Sequence, residues 1–182
     1  MTEPTLPLVF RVPSASNGPL NPDFKPPSID FLHGTWHVLQ STLPMWKSNK
    51  NIRITYTPLP DDPKKLDDLV EYQSLTGEKL KSIHGTDTPN ETFPGSYDWR
   101  GKGWLKVASS HWEVLGYGTE EGGWAVTYFA KTMFTPAGLD VYSREKAGLS
   151  PALLQRIQDE LKKVEDVNFR NMLEGIFAIK HD

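Results

Sequence analysis

Ile52-Arg53-Ile54-Thr55-Tyr56-Thr57 alternates apolar and polar side chains at every step, which is the period of a β-strand with one face buried. Trp124-Ala125-Val126-Thr127-Tyr128-Phe129-Ala130-Lys131 reads the same way: Trp124, Val126, Tyr128 and Ala130 share a face, and Thr127 and Lys131 take the other. Working outward, β-branched and aromatic runs recur at 34–43, 51–58, 68–75, 79–86, 95–100, 103–109, 111–118, 123–131 and 138–144. Turn residues separate them at the intervals of an antiparallel meander. Thr76-Gly77-Glu78 and Gly118 to Gly123 are the clearest connections, because glycine supplies the positive φ that tight hairpins need. Arg100-Gly101-Lys102-Gly103 reads either as a hairpin turn or as a glycine bulge inside one long strand.

After Arg144 the period changes. Ser150 is a helix N-cap and Pro151 suits the first helical position, where its missing N–H costs nothing. Leu153, Leu154, Ile157 and Leu161 recur at helical spacing, which predicts an amphipathic helix over 151–163. Residues 169–179 fit a second short helix or a closing strand equally well. Strands following one another with almost no intervening helix predict a mainly β chain. The expected fold is a closed antiparallel up-and-down barrel with the C-terminal helix packed outside, and a sandwich is the alternative.

Seven of the fifteen prolines fall within residues 4–27, and each restricts its own backbone and that of its predecessor. Residues 1–29 are therefore expected to be an extended or disordered arm preceding one barrel domain, 30–182. The arm could instead pack across the barrel mouth through Leu6, Leu8, Phe10 and Phe24. A net charge of -3 with scattered basic residues predicts no nucleic-acid partner. The absence of cysteine excludes disulfides, thiolate nucleophiles and cysteine metal sites, and suits a cytoplasmic location. No apolar run reaches the roughly 20 residues of a membrane span, and the N-terminus does not read as a signal peptide.

Phe31-Leu32-His33-Gly34-Thr35-Trp36 resembles the Gly-x-Trp signature that opens the first barrel strand in lipocalins, and Val141-Tyr142-Ser143-Arg144 resembles the arginine that ends their last strand. The chain is thus similar to an outlying member of the lipocalin or calycin family. Ser41 to Lys47 together with Ile52 to Tyr56 is similar to small fungal lipocalin-like proteins. The resemblance implies that Gly34, Trp36 and Arg144 close the barrel, with the guanidinium over the indole. The Thr-Asp-Tyr turn of many lipocalins is replaced here by the Gly118 to Gly123 loop.

Six tryptophans in a domain this size point either to ordinary core packing or to stacking on a flat ligand. The residues expected to line a ligand site are Tyr56, Tyr72, His84, Trp99, Trp104, Trp112 and Tyr128. Tyrosines offer a polar tip on an apolar body. Asp98, Glu113 and Glu71 are the strand carboxylates considered for acid or base work. No nucleophile elbow, phosphate loop or zinc motif is present, so no metal and no cofactor is expected. The expected partner is a hydrophobic small molecule; the sequence leaves the oligomeric state open. Two activities are consistent with this reading. One, implied by the resemblance, is a cyclase or isomerase acting on a polyketide or isoprenoid intermediate of secondary metabolism; the other is a non-catalytic carrier of a lipid-like ligand. A third possibility is an interaction module with a filled core.

Overall fold

The computed structural model describes residues 7–16 and 18–182. Eight strands follow one another: β1 (Gly34–Ser41), β2 (Asn49–Pro58), β3 (Leu66–Ser74), β4 (Leu80–Pro89), β5 (Ser96–Gly101), β6 (Ser109–Gly118), β7 (Trp124–Phe129) and β8 (Gly138–Ser143). Each pairs antiparallel with the next, and β8 returns to β1 with Val38 opposite Tyr142. The sheet is therefore a closed barrel rather than a sandwich, and closure leaves no strand edge for another chain to extend. Past His37, β1 parts from β2, and a short β9 (Phe177–Ala178) pairs with Gln40 and Ser41 in the gap. The C-terminal segment forms both of the elements its sequence allowed, since α3 (Val167–Leu173) precedes β9.

The run at 103–109 is not a strand. Gly103 sits at φ +61, residues 103–105 form a 3₁₀ turn, and Trp104 and Val107 project into solvent. The apolar residues there mimic a strand pattern, but the turn at Gly101–Gly103 ends the ladder, and strand pairing resumes only at Ser109.

The barrel floor is built by a single helical turn, α1 (Ile29–Leu32), capped by the Ser28 hydroxyl. Trp36 donates its indole N–H to the Leu32 carbonyl at 2.9 Å. Arg144 lies over the Trp36 ring, 3.5 Å from its centroid, and donates to the carbonyls of Phe31, His33 and Thr35. Gly34 has φ +104, and a Cβ there would stand 3.1 Å from the Arg144 guanidinium, so only glycine lets the chain turn this close to the cation.

Two apolar layers result. Inside the barrel, Trp36, Val38, Ile52, Ile54, Tyr56, Leu66, Tyr97, Trp112 and Val114 form the first. Outside, Leu115, Trp124, Val126, Leu139 and Val141 meet Leu153, Ile157 and Leu161 of α2 (Pro151–Lys162) and Phe169 of α3. The alternation in 124–131 is real, but Trp124, Val126 and Tyr128 face outward and Ala125, Thr127 and Phe129 face inward. Because helices cover the outer surface of β7 and β8, both faces are apolar, and period two alone cannot say which is inside.

The arm packs along the outside of the barrel, not over its mouth. Phe10 bridges to Gly116 and stacks on Trp124 at 5.8 Å; Leu6 lies outside the described residues. Arg11 is buried, donating to the carbonyls of Val114 and Gly95 and pairing with the buried Glu113 at 3.3 Å. Ser14 donates its backbone N–H and its hydroxyl to the same carboxylate. Glu113 is thus a tether for the arm, on the wall opposite to the interior.

Both tethers can be tested by removal. Arg144→Ala should lower unfolding stability by about 3 kcal/mol in urea titrations, from the lost cation–π contact and charged hydrogen bonds. Glu113→Ala leaves Arg11 buried without its partner, which typically costs about 3–5 kcal/mol, and should make residues 7–16 sensitive to limited proteolysis and hydrogen exchange.

Candidate functional site

Inward positions of successive strands bring together a group of aromatic and acidic side chains in the lower half of the barrel. Tyr56 on β2 pairs across to Asp68 on β3. Asp87 on β4 neighbours Trp99 on β5, and Tyr97 on β5 neighbours Trp112 on β6. The Trp112 ring is sandwiched between Tyr97 at 4.6 Å and Tyr56 at 5.4 Å, both nearly parallel to it, and its N–H donates to Asp87 Oδ1 at 2.8 Å. Such a stack is rigid and orients each polar tip.

Asp68 and Asp87 face each other in this setting, both buried. Burial raises the Asp68 carboxyl well above its ordinary range, and the neighbouring charges of Asp87 and Asp67 push it the same way. Burial also pushes Asp87 up, to about 7, although the Trp112 N–H and Asp68 favour its charged form. Two carboxyls this close in a dry interior cannot both ionise, so they hold one proton between them. Asp68 Oδ1 and Asp87 Oδ2 have no other hydrogen-bond donor among the described residues.

A third acid, Asp140 on β8, is fully buried and pushed up to about 7 by that burial, with the Ser41 hydroxyl and Trp46 N–H partly offsetting it. Tyr142 and Thr127 lie beside one another inside the wall, and the Tyr142 hydroxyl is raised well above its ordinary value by burial and by Asp140. Toward the open end the lining becomes apolar and partly exposed: Val70, Tyr72, Ile83, Trp99 and Phe129. A 3₁₀ turn in the β1–β2 connection, Pro44–Trp46, folds over this end and sets Trp46 against Tyr72 at 5.3 Å. Two clefts, of about 470 and 610 Å³, lie outside the barrel, the first lined by Tyr128 and α3 and the second by the arm and the Tyr117–Glu120 segment.

Of the residues singled out from the sequence, Tyr56, Tyr72, Trp99 and Trp112 lie in the interior layer. His84, Trp104 and Tyr128 do not. His84 points outward and is bound to Asp67 at 2.9 Å; its neighbours Ile83 and Gly85 hold the inward places. Trp104 sits on the 3₁₀ turn and is 88% exposed. Tyr128 is on the outer face under the helical layer. Trp112 is core as well as lining, so its removal would collapse the stack. Among the carboxylates, Asp98 is exposed and bound to His111, and Glu71 pairs with Arg53. The acids that do point inward are Asp68, Asp87 and Asp140, none of them among the carboxylates that the sequence singles out, although Leu66-Asp67-Asp68-Leu69-Val70 places Asp68 in the same parity as Leu66 and Val70.

No family model matches the sequence, and no curated protein matches it either. Solved structures do. Insecticyanin from the tobacco hornworm Manduca sexta superposes with a TM-score of 0.65 at 17% identity, covering 88% of this chain and 86% of that one. The fold is that of the lipocalins. Lobster apocrustacyanin A1 superposes with a TM-score of 0.60 at 15% identity, over 84% and 79% of the two chains. The siderocalin Ex-FABP superposes at 0.58 and 14%, over 83% and 95%. Within this lipocalin barrel, the floor formed by Gly34, Trp36 and Arg144 lies at one end and the Trp46 turn at the other, with the acids between them.

The buried acids have a measurable consequence. A carboxyl raised by folding keeps its proton to higher pH than the unfolded chain does, so stability must fall as pH rises from about 4 to about 7. The melting temperature should drop by roughly 5 °C or more between pH 5 and pH 8. Asp87→Asn and Asp140→Asn should each flatten that dependence, as followed by circular dichroism; an unchanged slope in both would show that neither carboxyl is raised.

Proposed function

We propose that the barrel binds an apolar or aromatic small molecule through its open end and transfers protons to and from it with the Asp68–Asp87 pair, as an isomerase or cyclase of secondary-metabolite intermediates. The observation that carries this is the burial of two carboxyls, Asp68 and Asp87, side by side on adjacent strands with no ion-pair partner among the described residues; one proton shared between them follows from that placement. A buried pair with one acidic and one basic oxygen donates a proton at one substrate atom and recovers one at another, which returns the pair to its starting state. Isomerisation and cyclisation of a polyene or isoprenoid have that balance. Tyr72 and Trp99 line the approach, and the Tyr56–Trp112–Tyr97 stack sets the depth at which a flat ligand stops. A lining that was merely required to be greasy would gain nothing from three buried aspartates, each of which costs desolvation.

The second reading is a non-catalytic carrier of a lipid-like ligand. It draws on the apolar upper lining and on the fold neighbour described as functioning through dual ligand specificities.

One experiment separates the two. Tyr72→Ala and Trp99→Ala should weaken binding of the fluorescent probe 1-anilinonaphthalene-8-sulfonate about tenfold while the far-ultraviolet spectrum is retained. Asp87→Asn should leave probe binding within about threefold, under 1 kcal/mol, yet abolish conversion of whichever polyene or isoprenoid the wild type transforms. Recovery of every bound ligand unchanged from the wild type would favour the carrier.

A further inference from the structure

An up-and-down barrel sends alternate connections to opposite ends, and the two ends of this one differ in chemistry. The floor end carries the β2–β3, β4–β5 and β6–β7 connections, residues 59–65, 90–95 and 119–123. These hold five acidic residues, Asp61, Asp62, Glu91, Glu120 and Glu121, against two lysines. The open end carries residues 42–48, 75–79, 102–108 and 130–137, which hold Lys47, Lys79, Lys102, Lys106 and Lys131 against Glu78 alone. Glu78 shares the buried Lys50 with Asp182 and Lys102 is paired with Asp67, whereas Lys79, Lys106 and Lys131 make no ion pair among the described residues. A chain of net negative charge therefore presents a cationic rim around its mouth.

The same rim carries the most exposed large apolar side chains. Trp104 and Val107 in the β5–β6 connection are 88% and 91% exposed, and Met133 and Phe134 in the β7–β8 connection are 91% and 86% exposed. Met45 and Leu75 add partly exposed tips on the other two connections. Apolar tips standing among lysines do not bury against one another, and leaving a tryptophan and a phenylalanine in water is unfavourable. Aromatic and aliphatic tips that enter the headgroup layer, ringed by lysines that meet anionic headgroups, are the composition of a bilayer-surface anchor.

We propose that the open end of the barrel docks on anionic lipid bilayers, with Trp104, Val107, Met133 and Phe134 inserted at the interface and the lysine rim on the headgroups. Building on the reading that an apolar ligand enters at this end, docking would let the ligand pass between membrane and barrel without crossing water. The acidic floor end would point away from the surface and fix the orientation.

The test is sedimentation of the whole protein with vesicles of phosphatidylcholine alone or mixed with phosphatidylserine, at low and high salt. The wild type should co-sediment with the mixed vesicles, far less with the neutral ones, and less as salt screens the rim. Trp104→Ser with Phe134→Ser should cut the bound fraction at least tenfold, and Lys106→Glu or Lys131→Glu about fivefold each. All of these variants should bind 1-anilinonaphthalene-8-sulfonate in solution as the wild type does, because none of the altered residues lines the interior. Absence of binding to mixed vesicles, or binding undiminished in the Trp104/Phe134 variant, overturns the docking face. So does a wild-type dimer in sedimentation velocity that the same variant dissolves, since the face would then belong to a second copy. Wild type that binds the probe but ignores vesicles refutes docking alone; wild type that binds vesicles but no probe upholds docking and removes the ligand reading.

Discussion

The guanidinium of Arg144 stacked on the Trp36 indole joins the first strand of the barrel to the last. Its three carbonyl acceptors belong to the segment that crosses the floor, so one side chain ties the entry turn, β1 and the end of β8 together. Burial lowers the guanidinium to about 10, still far above neutrality, so it is a cation at neutral pH. A permanent charge over an aromatic face, with its donors satisfied, is a contact that loses little to titration. The floor is sealed in this way at one end of the barrel.

That polarity explains the division of labour within the barrel. Near the floor, the side chains can be fixed by neighbours on every strand, and there the protein places the stacked aromatics and the buried acids. A carboxyl pair keeps a proton at neutral pH only if water is kept out and the geometry does not relax. The Tyr97–Trp112–Tyr56 stack provides the rigidity, and the Trp112 N–H holds one carboxyl in place. Toward the other end, by contrast, Tyr72, Trp99 and Phe129 are only partly covered, and Trp46 packs against Tyr72 from a short turn.

The outer wall uses the same strands for a different purpose. Trp124, Val126, Leu139 and Val141 bury against α2, and the arm is held beside them by the Arg11–Glu113 pair. A barrel with helices and a strap on one side has two apolar layers back to back across a single sheet. Glu113 on the outer face serves attachment, whereas Asp68, Asp87 and Asp140 on the inner face make no ion pair among the described residues. Burial inside the barrel keeps Asp87 and Asp140 protonated to about 7; outside, the hydrogen bonds of His111 and Ser14 outweigh burial and hold Glu113 below its usual range.

Local patterns in the chain were enough to place the eight long strands and the Ser150–Pro151 helix start, because each depends on residues close in sequence, but they also made a strand of 103–109, where a 3₁₀ turn stands; the pairing of Trp36 with Arg144 came from the resemblance to lipocalins and is present. They also put Tyr56, Tyr72, Trp99 and Trp112 on strands, where aromatic residues are expected. What they could not decide was the side of the sheet on which a side chain falls. Alternation is symmetric under exchange of the two faces, and where helices cover the outside, as over Val126 and Tyr128, hydrophobicity no longer marks the interior. The parity of Asp68 with Leu66 and Val70 is visible in the chain, but only the folded barrel buries it beside Asp87 of the neighbouring strand and buries Asp140 on β8, and that burial is what raises all three carboxyls.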